Sequence, residues 1–197
     1  MEGFSDGVFG FAITLLVLDV AIRAPGSALE QVLHGWPTYL AYLVSFLTIG
    51  AAWLAHTAMT DQLERADPIL LRLNLLLLMV VVWLPFPTHL VAESLNALSS
   101  ERVFVTMYGL TLLLIRVLLF TLDAYAEREH LYSTGTDQDL RTDRKKRLPT
   151  LTAYVVTILI GFAAPALSMA LYFAIAVYVV VPFRQVGRLL RGSAPLD

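Results

Sequence analysis

The sequence predicts an all-α, polytopic membrane protein with six transmembrane helices. Of its 197 residues, 57% are hydrophobic and only 15% are charged, and the mean hydropathy is +0.69. A soluble domain is usually about half apolar and about a quarter charged. The apolar residues are concentrated in runs of about 18 or more that are nearly free of charge, which is the length that a helix needs to cross a bilayer.

We expect a single six-helix transmembrane domain over residues 1–197. Its one long polar stretch, at about 125–147, is expected to be a cytoplasmic loop. The six helices are expected at about 4–22, 36–60, 68–92, 102–122, 148–164 and 166–187.

Helix-breaking residues mark the limits of these segments. The first segment ends before Arg23-Ala24-Pro25-Gly26, and Pro37 suits the first turn of the second. Pro85 and Pro87 interrupt the third segment, and the fourth precedes the polar loop. The last apolar stretch is too long for one crossing, so Ala163-Ala164-Pro165 is expected to divide it into a short fifth helix and a sixth.

Charge and composition exclude several classes of protein. The net charge of −2 and the pI near 6.1 give no support for a nucleic-acid partner. The chain has no cysteine, which excludes disulfides, thiolate metal sites and cysteine nucleophiles. Glu2 stands where a signal peptide would be basic, and Asp6 interrupts the apolar stretch, so we expect the first segment to stay in the mature protein.

The distribution of basic residues predicts that both termini are cytoplasmic. With this orientation, the external side carries only Arg23 and Arg102. Cytoplasmic segments are enriched in lysine and arginine. The residues that fall on the cytoplasmic side are Arg65, Arg128, Arg141, Arg144, Lys145, Lys146, Arg147, Arg184, Arg188 and Arg191.

Two features of the loop and the first helix follow from this orientation. The basic run Arg144–Arg147 is expected to lie beside anionic lipid at the cytoplasmic surface. The first helix runs outward, so Asp19 is expected at its external mouth, where carboxylates would concentrate cations.

Several polar side chains lie inside the apolar segments. Polar and ionisable groups at membrane depth are costly and therefore mark candidate functional sites. Because successive helices are antiparallel, five of these groups return to the inner half of the membrane, where a shared hydrogen-bond network would satisfy them and fix the tilt of the first helix. A simple helix N-cap explains Ser5-Asp6 equally well. The five residues are Ser5, Asp6, Trp53, His56 and Asn74.

Residues 4–19, FSDGVFGFAITLLVLD, resemble the first-helix signature of the transmembrane protein 175 family, the lysosomal potassium channels and their bacterial homologues. Two weaker marks of the family follow: Trp53-x-x-His56 in the second segment, and Asn74 followed by LPFPT at 84–88 in the third. The order of these marks and the six-helix plan agree with the single-repeat bacterial members across most of the chain.

The resemblance implies a cation channel that selects potassium over sodium, weakly to moderately, and assembles as a homotetramer with the first helix lining a central pore. The family's rings of large aliphatic residues fall by position on Phe11, Leu15 and Leu18, and Thr14 adds a hydroxyl beside the first ring. Phe11 departs from the usual isoleucine or leucine. The resemblance implies potassium as the permeant ion and a bacterial cell membrane as the location, and we expect no cofactor or resident metal.

Three other functions stay open at this stage. A proton-conducting membrane protein is one, because Asp6 and His56 are titratable, and a membrane scaffold without transport is another. An integral-membrane enzyme is the third, since Ser5, Asp6 and His56 are the residue types of a catalytic triad. Adjacent residues on a helix point about 100° apart, however, and the chain contains neither Gly-x-Ser-x-Gly nor His-Glu-x-x-His. We therefore expect no enzymatic activity.

Overall fold

The computed structural model describes residues 1–18, 35–97, 101–133 and 137–181, and these residues form an all-helical bundle. The described helices are α1 (Glu2–Leu18), α2 (Trp36–Thr60), α3 (Pro68–Trp83), α4 (Pro85–Ala97), α5 (Glu101–Arg128), α6 (Asp137–Gly161) and α7 (Pro165–Val180). Because α3 and α4 divide one apolar segment between them, these helices correspond to the six predicted segments.

Within the described residues, three segments are long and apolar enough to cross a bilayer: Thr38–Thr60, Pro68–Ser94 and Arg102–Arg128. The apolar helices Pro149–Gly161 and Pro165–Val180 are shorter. Large apolar side chains are exposed along several helices, as expected where a bundle faces lipid rather than water. This is the architecture of an integral membrane protein.

The polar loop expected at 125–147 is largely helical. Helix α5 continues to Arg128, and α6 begins at Asp137. Hydropathy identifies the part of a helix that lies in lipid, but a helix can continue into water. Residues 137–148 contain neither glycine nor proline, and Pro149 lies inside α6 without ending it. The predicted ends at 22 and 187 lie outside the described residues.

The break between α3 and α4 follows from two prolines. Pro85 and Pro87 have no backbone N–H and cannot continue the helical hydrogen bonds. The Val81 carbonyl instead accepts a hydrogen bond from the Leu84 N–H at 3.2 Å. The Leu84 carbonyl accepts from both the backbone N–H and the hydroxyl of Thr88, at 3.2 and 2.8 Å.

Buried hydroxyls attach this break to two other helices. Ser45 Oγ in α2 lies 2.8 Å from Thr88 Oγ1 in α4 and 2.8 Å from Tyr108 Oη in α5. A hydroxyl has one proton to donate, and Thr88 donates its proton to the Leu84 carbonyl. Ser45 therefore donates to Thr88, and Tyr108 donates to Ser45. This chain of hydrogen bonds holds α2, α4 and α5 together in the core.

A cluster of tyrosines joins α5 to α6 and α7. The ring of Tyr172 packs edge-on against Tyr108 and is stacked on Tyr154, with centroids 5.8 and 6.3 Å apart, and all three rings are buried. The phenol of Tyr172 lies against the backbone of α5 at Gly109, where any Cβ would collide with it. Glycine at this position permits the close approach of α5 and α7.

Candidate functional site

Helix α1 has one buried face. Its fully buried side chains are Ser5, Phe9, Ala12 and Leu16, whose spacings of four, three and four residues form a single stripe. This stripe packs mainly against α2 and α3. Small residues at 5 and 12 bring the backbone of α1 close to its neighbours, and Phe9 packs on the His56 ring with the centroids 5.5 Å apart.

The opposite face of α1 is uncovered. Phe4, Phe11 and Leu18 recur every seven residues and are 64%, 58% and 69% exposed, with the exposed Thr14 between the last two. We call Phe4, Phe11, Thr14 and Leu18 the open face. Three of the four predicted pore residues lie on it. The fourth, Leu15, is half-buried at the edge of the stripe that packs on the bundle.

The hydroxyl of Thr14 is oriented by its own helix. It donates a hydrogen bond to the Phe11 carbonyl at 2.8 Å. Because a hydroxyl has a single proton, the lone pairs of Thr14 Oγ1 are left as acceptors. Thr14 therefore presents only an acceptor beyond its helix, which suits contact with a cation.

The inner end of α1 is attached to α2 by an exposed hydrogen bond. Trp53 Nε1 donates to Asp6 Oδ1 at 2.8 Å. Trp53 is 38% exposed, and Asp6 is also exposed. The Asp6–Trp53 pair therefore lies at the surface of the single chain and not in its core.

A second, buried group of hydrogen bonds attaches α1 to α2 and α3. Asn74 Nδ2 donates to Ser5 Oγ at 3.0 Å, and Asn74 Oδ1 lies 2.8 Å from His56 Nε2. A carbonyl oxygen only accepts, so this geometry requires His56 to carry its proton on Nε2. All three side chains are at most 3% exposed. We call Ser5, His56 and Asn74 the anchor.

The five polar residues expected to share one network thus form two separate groups. Trp53 and His56 are three residues apart on α2, and Ser5 and Asp6 are adjacent on α1. On a helix these separations turn the side chains by about 60° and 100°. One member of each pair faces the surface and the other faces the core. Asp19 and the side chains of Arg144–Arg147 lie outside the described residues.

Comparison with known proteins shows the family. The family model described as endosomal/lysosomal potassium channel TMEM175 matches residues 1–85. A potassium channel of Streptomyces collinus is 34% identical over 195 residues, which cover 94% of this chain and 95% of that protein. The chain belongs to the TMEM175 family. The matched residues 1–85 include α1, the anchor and the Asp6–Trp53 pair.

Other TMEM175 relatives agree over nearly the whole chain. A potassium channel of Chamaesiphon minutus is 34% identical over 187 residues, covering 90% of this chain and 91% of that protein. The crystal structure of a lysosomal potassium-selective channel TMEM175 homologue from the same organism matches with a TM-score of 0.81 at 32% identity, covering 98% of this chain and 96% of that one. These relatives are ion channels, which excludes the enzyme alternative.

Vertebrate TMEM175 proteins are matched over a smaller share of their own length. The endosomal/lysosomal proton channel TMEM175 of Gallus gallus is 36% identical over 112 residues, covering 51% of this chain and 22% of that protein. The family thus includes members named as potassium channels and members named as proton channels.

Proposed function

We propose that this chain is a potassium-selective cation channel in which the open face of α1 lines the ion pathway. The observation that carries the proposal is the open face itself, a line of large apolar side chains with one oriented hydroxyl on a helix whose other side is attached to the bundle. The bacterial relatives named potassium channels, which match nearly the whole chain, support it.

The pathway requires more than one copy of the chain. In the single chain, the side chains of the open face are exposed. Closed rotational symmetry brings the same face of each copy to a common axis. We propose a homotetramer in which four α1 helices form rings of Phe11, Leu15 and Leu18, with the half-buried Leu15 at the contact between neighbouring copies.

Selectivity in this proposal arises from the cost of dehydration. A narrow apolar ring forces an ion to lose water, and potassium holds its water less strongly than sodium. Thr14 Oγ1, as an acceptor, replaces part of the lost hydration. We propose that the discrimination between potassium and sodium is weak to moderate. The same rings close the pore by dewetting when they approach one another.

The distribution of charged residues sets the proposed orientation of the chain in the membrane. We propose a bacterial cell membrane with both termini in the cytoplasm, as the bias of basic residues predicts. Asp19 then lies at the external mouth and concentrates cations there. The basic run Arg144–Arg147 lies beside anionic lipid.

Cation flux into proteoliposomes tests the proposed function. We expect potassium flux to exceed both the sodium flux and the leak of empty liposomes, because the apolar rings penalise the more strongly hydrated ion. Insertion and oligomeric state are checked on the same sample. Flux of neither cation through a folded oligomer would contradict the proposal and leave proton conduction or a scaffold without transport.

Proton conduction is the second candidate, because the vertebrate relatives are named proton channels and the anchor contains a buried histidine. A pH-sensitive dye inside the same liposomes distinguishes the two functions. Proton flux without a response to the potassium gradient would favour this candidate.

A further inference from the structure

Two chain connections meet at the end of the bundle where α2 leads into α3 and α5 leads into α6. Leu63 and Tyr132 form an antiparallel bridge, with hydrogen bonds from the Glu64 N–H to the Leu131 carbonyl at 2.9 Å and from the Ser133 N–H to the Gln62 carbonyl at 3.0 Å. It is the one β-type pairing in residues 1–18, 35–97, 101–133 and 137–181.

The end of α5 is built to reach this bridge. His130 has φ 52°, and the N–H groups of His130 and Leu131 donate back to the carbonyls of Glu127 and Ala126, at 3.2 and 2.9 Å. This is the Schellman arrangement that terminates a helix and reverses the chain. Leu131, the residue after the left-handed position, is 3% exposed and packs into the core.

Two tyrosine–aspartate hydrogen bonds reinforce the contact. Tyr132 Oη donates to Asp123 Oδ1 at 2.6 Å, and Tyr125 Oη donates to Asp67 Oδ2 at 2.5 Å. Asp67 also caps α3, since its Oδ1 accepts from the Leu70 N–H at 2.7 Å. The Leu70 N–H and the Tyr125 hydroxyl together hold the pKa of Asp67 below its usual value, so the carboxylate is ionised at neutral pH. We call the bridge and these two hydrogen bonds the clasp.

Helix α3 connects the clasp to α1. Asn74 lies seven residues after Asp67, which is two turns and about 10 Å along α3. Asn74 donates to Ser5 of α1. Asp67 therefore ties the beginning of α3 to α5, and Asn74 ties the same helix to α1. The height and rotation of α3 determine where the amide of Asn74 meets Ser5.

We propose that the clasp positions the pore helix: Tyr125 and Asp67 hold the first turn of α3 against α5, and this fixes the anchor that sets the height and rotation of α1. The Tyr125 hydroxyl bonds to Asp67, which belongs to neither the open face nor the anchor, so Tyr125 acts as a positioning residue. The effect of the clasp on ion selectivity rests on the proposed function, but its effect on the position of α1 does not.

Tyr125→Phe tests the proposal, because it removes the hydroxyl and keeps the ring. Two quantities are measured: the ratio of potassium to sodium flux, and the hydrogen–deuterium exchange of the backbone amides of residues 2–9 of α1. We expect amide exchange in α1 to be about threefold faster and the flux ratio to be about threefold lower. The loss of a typical hydrogen bond changes an equilibrium constant by about this factor. Tyr42→Phe is the matched control, because the half-buried Tyr42 hydroxyl makes no hydrogen bond in the described residues.

Ser5→Ala tests whether Tyr125→Phe acts on α1 through Asn74. In a chain that already lacks the Ser5 hydroxyl, Tyr125→Phe is expected to change the flux ratio little further, because both substitutions act through Asn74. Equal losses in the two backgrounds would overturn the proposed route. A lower melting temperature with unchanged exchange in α1 would show that the clasp serves stability alone.

Two outcomes separate this proposal from the proposed function. If the parent chain conducts neither cation, the channel proposal fails, whereas amide exchange in α1 still decides on the clasp. If Tyr125→Phe does not insert, Asp67→Asn replaces it, because asparagine keeps an oxygen that caps α3 and is a weaker acceptor for Tyr125. Exchange in α1 equal to that of the parent would overturn the proposal in either variant.

Discussion

Truncation of Phe11 to alanine is expected to raise cation flux and to weaken discrimination between potassium and sodium. Phe11 is 58% exposed and carries the bulkiest side chain among the predicted pore residues. Without its ring, ions keep more of their water at this level of the pore. A flux increase of about tenfold corresponds to a barrier lowered by about 1.4 kcal/mol. Flux of both cations into proteoliposomes measures the effect.

The control for Phe11→Ala is Leu159→Ala, an apolar truncation at a position that is 62% exposed on α6, a helix that packs mainly on α5 and α7. We expect the control to conduct and select as the parent does. If Phe11→Ala inserts and assembles normally yet keeps the parent's flux and selectivity, the ring at this level does not meet the ion.

The largest effect on stability is expected for Asn74→Leu. Leucine has a similar volume but offers no hydrogen bond, so the buried Ser5 and His56 both lose their partner. A buried polar group without a partner costs about 1 to 3 kcal/mol, so for two such groups we expect a loss of about 2 to 6 kcal/mol and a lower melting temperature in detergent. α1 should also be held less firmly, which lowers the ratio of potassium to sodium flux.

A double-mutant cycle separates this loss from a general packing defect. With Asn74 already replaced, Ser5→Ala should cost little or even restore some stability, because it removes an unpaired buried hydroxyl. Additive losses from the two substitutions would contradict the anchor as the structure shows it.

Much of the helical architecture can be predicted from the sequence, because lipid and proline impose strong local rules. Trp36 and Pro68 begin helices within a residue of the predicted starts, and Pro165 begins the last helix where the apolar stretch was expected to divide. Pro85 separates α3 from α4 as its missing N–H requires. Helices that leave the lipid are less predictable, since hydropathy carries no signal for α6 from Asp137 to the membrane.

The candidate site could be predicted only in part. Helix α1 is apolar all round, so periodicity gives no reason to choose one face, and the resemblance supplied Phe11, Thr14 and Leu18. Their exposure in the structure is compatible with a pore, and their role stays a prediction. The half-buried position of Leu15 depends on how α1 rotates against the bundle, which the sequence of α1 alone does not determine.

The antiparallel order of the helices predicted that Ser5 and Asn74 lie at the same end of the bundle, but other contacts across long stretches of chain were not predictable. Asp67 before Pro68 is a recognisable helix start, so its capping role had a local signal. Its hydrogen bond to Tyr125 joins residues 58 positions apart, and Ser45 and Tyr108 are 63 positions apart. Such pairs depend on which helices become neighbours, and no local rule of spacing specifies that.

The central claim is tested most directly by placing a cysteine on the open face and measuring whether silver ions then block potassium flux. The chain has no cysteine, so Leu18→Cys introduces the only thiol. Silver has nearly the size of potassium and binds thiolates tightly, and a chloride-free buffer keeps it in solution. We expect silver to stop potassium flux through Leu18→Cys and to leave the parent and Leu159→Cys unaffected. Undiminished flux through a Leu18→Cys protein whose thiol has reacted would contradict the claim that the open face of α1 lines the pore.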